Sequence, residues 1–82
     1  SLIGAYVKVE EQSAHGRADI VITLPNVVYV MELKFDGSAD AAIKQIDDKG
    51  YLVPYIADGK RIVKIGVNYS SEERTITDWI IK

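Results

Sequence analysis

The stretch VYVMELKFDG, residues 28–37, starts as an apolar, strand-like run and ends in an acid and a base separated by one leucine. Side chains two apart on a strand point to the same face. Glu32 and Lys34 therefore stand side by side in a segment otherwise suited to burial.

Working outward, RADIVITL (17–24) reads as a strand, PN (25–26) as a tight turn and VVYVMELKF (27–35) as the next strand. Centring the hairpin on PN pairs Leu24 with Val27, Val21 with Val30, Asp19 with Glu32, and Arg17 with Lys34. Directly opposed Cβ atoms lie about 4.5–5.5 Å apart. Two like charges at that separation repel by roughly 3 kcal/mol at an effective dielectric near 20, which calls for compensation. Two readings meet that need. In one, Arg17 and Lys34 complete an ordinary surface charge quartet. In the other, Asp19 and Glu32 share a hard divalent cation, which takes oxygen ligands. Pro25 cannot adopt the positive φ of a type I′ turn, and a single bulge would shift the register.

The faces bear on that choice. Ile20, Ile22 and Leu24 with Tyr29, Met31, Leu33 and Phe35 form a continuous apolar face, expected to be the core. The opposite face carries Val21, Thr23, Val28 and Val30 near the turn and its charges only at the far end. A wholly solvated face would be polar throughout. Partial cover, with the charges at its edge where a cleft can form, favours the cation-binding reading.

Further out, AYVKVEEQ (5–12) reads as a first strand, with SAHG (13–16) as the turn after it. Ala39, Ala42, Ile43 and Ile46 recur at helical spacing, so a helix is expected over 38–49, with Ser38 or Asp40 as its cap and Gly50 as its stop. LVPYIADGK (52–60) is irregular with a short helical turn, and RIVKIGVNY (61–69) and RTITDWIIK (74–82) are late strands. The order is βββαββ, an α/β (α+β) arrangement around a central mixed sheet.

Composition limits the function. The 82 residues, 48% of them hydrophobic, suit one small domain spanning 1–82, and the abrupt apolar start suggests a piece of a longer chain. Without cysteine there is no disulfide, thiolate zinc site or thiol nucleophile, and the lone His15 argues against histidine-rich metal sites. No apolar run approaches a membrane span and no basic leader is present, which points to a cytoplasmic protein and no membrane partner. A net charge of −2 means that any nucleic-acid role must rest on a local site. His15 is expected as a solvated turn residue, Gln45 as an exposed helix residue, and Trp79 and Tyr69 as core. Lys44, Lys60, Arg61 and Lys64 are scattered cations within reach of a phosphate backbone, while the DDK and SSEER runs are read as solvated charge. No glycine-rich phosphate loop appears.

Together GRADIVI (16–22), VYVMELKFDGSADAAIKQI (28–46), KGY (49–51) and IGVNYSSEERTITDW (65–79) resemble the PD-(D/E)XK nuclease superfamily. The resemblance covers about Gly4 to Trp79. It is strongest to the bacterial branch found at the C-terminus of AAA-ATPase-like proteins. It implies a restriction-endonuclease-like fold and Mg²⁺- or Mn²⁺-dependent hydrolysis of DNA. Carried over by residue, Asp19 is the motif aspartate and Glu32 and Lys34 the E-x-K pair. Asp19 and Glu32 then hold the metal, with Glu10 (or Glu11) as a further metal-site acid, and Lys34 orients or activates the attacking water. Gln45 matches a helix glutamine of RecB-like members, with Tyr51 as its companion near the nucleic acid; Arg17 also stands within reach of phosphate. The chain departs from the family in having Ala18 where many members have proline, and in lacking the helix before the first strand. The implied partners are DNA, a second copy as homodimer and an ATPase domain in the same parent chain. The alternative is an inactive or weakly active accessory or dimerisation module with the nuclease fold. A third reading is a structural domain whose charge quartet only aids solubility.

Overall fold

The structure, a computed structural model, describes residues 6–12, 17–48 and 52–82. In chain order these form β1 (Tyr6–Gln12), β2 (Arg17–Thr23), β3 (Val27–Phe35), α1 (Ala39–Asp48), α2 (Val53–Ala57), β4 (Arg61–Ser70) and β5 (Thr75–Ile81). The strands make one sheet in the order β1-β2-β3-β4-β5. Every neighbouring pair is antiparallel except β3 and β4, which are parallel. Parallel neighbours need a crossover, and α1 and α2 lie within it. The expected mixed sheet, with its main helix after the third strand, is therefore present.

The β2–β3 register is the expected one: Asp19 pairs with Glu32, Val21 with Val30 and Thr23 with Val28. Leu24 N donates to Val27 O at 2.8 Å, closing the hairpin around Pro25 and Asn26. The ladder stops at Asp19–Glu32, so the expected Arg17–Lys34 pair is not part of it. Beyond Glu32, β3 is held by β4 instead, where Lys34 stands opposite Asn68.

The core lies on the face opposite to the one expected. Val21, Val28 and Val30 pack with Ile43 and Ile46 of α1 and with Leu52, joined by partly buried Tyr55, Ile62 and Ile80. Tyr29, Met31 and Leu33 are only half-buried and Phe35 is 51% exposed. Both faces of β3 are apolar in sequence, and the decision falls to α1, which buries Ala39, Ala42, Ile43 and Ile46 on the Val28/Val30 side. Trp79 is not in the core either: it is 64% exposed on the edge strand β5.

Helix α1 begins where its capping chemistry places it. Ala41 N donates to Ser38 Oγ at 3.0 Å and Ala42 N to Ser38 O at 3.2 Å, so Ser38 is the N-cap. Asp40 in the first turn complements the helix dipole. The helix lies close on the sheet because β4 has glycine at the crossing. A Cβ on Gly66 would sit 2.6 Å from Ala39 O and 2.9 Å from Ile43 Cγ1.

Candidate active site

Glycine at position 66 also shapes the site, because Gly66 is the β4 partner of Glu32. One row of register partners crosses the sheet through Glu10, Asp19, Glu32, Gly66 and Ile80. Three adjacent strands thus carry a carboxylic acid in the same row, and neighbouring strands are about 4.8 Å apart. The fourth strand carries no side chain there, and the start of α1 settles into that gap. Glu32 is 0% exposed as a result. Placing a carboxylate in a dry interior is costly unless positive charge compensates it.

Lys34 follows two residues along β3, on the same face. It is half-buried, and its Nζ donates to Gln45 Oε1 on α1. Gln45, expected to be an exposed helix residue, is instead half-buried and in contact with the E-x-K lysine. Its Nε2 is buried and has no hydrogen-bond partner among the described residues. The arrangement therefore brings together Glu10, Asp19 and Glu32 by backbone register, Lys34 by strand periodicity, and Gln45 by a side-chain hydrogen bond. Arg17 lies opposite Gln12 on β1, two residues before Asp19. Tyr51 and the His15 turn lie outside the described residues. No cluster of three metal-ligating side chains is found among the described residues, and Glu10 and Asp19 are placed by their backbone alone.

Three of the four scattered cations are engaged elsewhere. Lys44 pairs with Asp48 at 3.0 Å and Lys64 with Asp47 at 2.8 Å, so the DDK acids neutralise the helix's own neighbourhood. Lys60 Nζ donates to Leu24 O at 3.2 Å. Asn68, unremarked in the sequence, is the other buried polar residue among those described, at 6% exposure, and stands beside Lys34 in the register. The available signal was an amide in the apolar strand IGVNY, where a polar side chain needs a partner.

The sequence matches the PD-(D/E)XK nuclease superfamily over residues 2–79. The chain belongs to that superfamily. A curated relative from Azotobacter chroococcum mcd 1, an uncharacterized protein in the vnfD 5' region, is 32% identical over 82 residues. That alignment takes in 98% of this chain and 16% of the relative. The chain thus spans about a sixth of that protein's length. No solved structure matches it. Among the described residues, no helix is long and apolar enough to cross a membrane.

Proposed function

We propose that this superfamily domain hydrolyses phosphodiester bonds of DNA with a divalent cation, using Asp19, Glu32 and Lys34. The observation that carries the reading is the register row Glu10–Asp19–Glu32 with Lys34 two residues farther along the same face. A row of carboxylates offers only hard oxygen donors, which fits Mg²⁺ or Mn²⁺. Asp19 and Glu32 would hold the ion, with Glu10 as a third acid. When bound, the ion supplies Lewis acidity toward phosphate and water.

The protein's own groups do the rest. Lys34 brings a cation beside the carboxylate row, where the phosphate's negative charge would lie. Gln45 holds that ammonium through Oε1, and its buried Nε2 is a donor with no hydrogen-bond partner among the described residues. By the family resemblance, Arg17 and Tyr51 would contact the nucleic-acid backbone. In the reaction, water adds to phosphorus, the P–O ester bond breaks and the departing oxygen takes a proton.

A cleavage assay on DNA with Mn²⁺ tests this. Wild type cuts only with metal, while Lys34→Met loses cutting by about 100-fold or more at unchanged folding. Metal-independent cutting, or full activity in Lys34→Met, contradicts the reading.

One observation favours a second reading, an accessory or dimerisation module of an ATPase-containing parent protein. Phe35, Ile76, Trp79 and Ile81 are all more than half exposed. Their strand positions put them on the face away from α1, a surface suited to protein contact.

A further inference from the structure

Lys34 is held at its tip by Gln45, and the turn of residues 36–38 joins the strand of one to the helix of the other. That turn is tied to the far strands at three points. Asp36 N donates to Tyr69 O at 2.9 Å, Gly37 N to Asn68 Oδ1 at 2.9 Å, and Ala39 N to Asp78 Oδ2 at 3.0 Å. The middle tie is the one next to the lysine. Asn68 is the register partner of Lys34. A Cβ on Gly37 would lie 3.7 Å from Lys34 Cβ and 3.8 Å from Asn68 Oδ1, so the turn folds back beside the lysine stem.

The Asn68 amide is engaged at both ends. Its Oδ1 accepts from Gly37 and its Nδ2 donates to Thr77 Oγ1 at 3.3 Å on β5. A backbone N–H can only donate, so the amide has one orientation that satisfies both bonds. Being 6% exposed, it has no comparable water contacts to fall back on if either partner leaves. Lysine has a flexible four-carbon stem, so its ammonium sits at a fixed place only where its surroundings confine it.

We infer that Asn68 is a positioning residue: by pinning Gly37 it sets how β3 enters α1, and so fixes the Lys34 ammonium against Gln45. The geometric part stands on these contacts. The catalytic consequence rests on the phosphodiesterase reading above.

The two parts are tested separately in the ¹⁵N-labelled chain. In Asn68→Ala the Gly37 amide exchanges about tenfold faster, as expected for a lost hydrogen bond of ordinary strength. The Gln45 side-chain NH₂ signals move toward those of a free amide. Asn68→Asp keeps an acceptor for Gly37 and restores the slow exchange of the Gly37 amide. Thr77→Val, at an exposed edge position, frees the other end of the amide and moves the Gln45 signals in the same direction. With metal and DNA, Asn68→Ala lowers kcat by up to about 100-fold at unchanged KM, as misplacement of a reacting group does. Gln45 signals that stay in place in Asn68→Ala, or in Thr77→Val should the alanine variant not fold, overturn the inference. Signals that move in a chain that never cleaves DNA uphold the positioning role and sink the phosphodiesterase reading instead.

Discussion

At the scale of single residues, one aspartate of the site and one beside it stand in different surroundings. Asp19 sits in a row of acids, whereas Asp36, at φ 55°, accepts from Ser71 Oγ at 2.6 Å and from Ser71 N at 2.8 Å. The Ser71 hydroxyl first, and then its N–H, hold the Asp36 carboxyl below the ordinary value of 3.8. A carboxyl with a depressed folded value adds stability that is complete above its unfolded value and fades as pH falls through the folded one. Ser71→Ala is therefore expected to melt below wild type near pH 7, with the gap closing as pH falls below the ordinary value of 3.8. A gap that stays constant as pH falls would mean that the cost of the substitution does not come through the Asp36 carboxylate. The pairing of Asp19 with Glu32 was legible because a two-residue PN link leaves few alternative registers. The partnership of Gln45 with Lys34 was not, since helix phase alone does not say which neighbour an isolated amide meets.

At the scale of elements, the strands and α1 followed from alternation, spacing and the Ser38 cap to within a residue or two. What the pattern did not announce was how closely α1 approaches β4. Gly66→Ala places a Cβ 2.6 Å from the Ala39 carbonyl, a backbone atom that cannot step aside as a flexible side chain would. Overpacking of this kind costs about 1–3 kcal/mol, and because α1 must move, the substitution is expected to lower activity as well as the melting temperature. Ser38→Ala removes only the cap bond to Ala41 and is expected to cost about 1 kcal/mol. Denaturation of both variants checks the order: a Gly66→Ala cost smaller than that of Ser38→Ala would show that the helix does not rest on β4 this tightly.

At the scale of the whole molecule, the sheet has two apolar faces and the sequence does not rank them. Ile20, Ile22 and Leu24 with Tyr29, Met31, Leu33 and Phe35 make the unbroken apolar face, so continuity pointed to the wrong side. The crossover between parallel β3 and β4 carries α1 onto the valine face. A handedness rule for such crossovers exists, but it needs the strand order first, and that order came only with the fold. The same choice of face buries Glu32 and exposes Trp79. Trp79→Ser should accordingly change stability by no more than about 0.5 kcal/mol while reducing the binding of a dye that reports exposed apolar surface. A large loss of stability would mean that Trp79 packs against part of the molecule.

Whether the buried end of the sheet is a metal site is decided by a thermal melt with and without Mn²⁺, run on wild type, Asp19→Asn and Glu32→Gln. A ligand that binds only the folded state, at about 100 times its Kd, adds roughly 2.7 kcal/mol, several degrees for a chain of this size. The expected result is a rise in the wild type that both variants lose, with metal-free Asp19→Asn melting no lower than wild type because one of two facing like charges has been removed. No rise at about millimolar Mn²⁺, or an equal rise in all three proteins, would contradict a cation shared by Asp19 and Glu32.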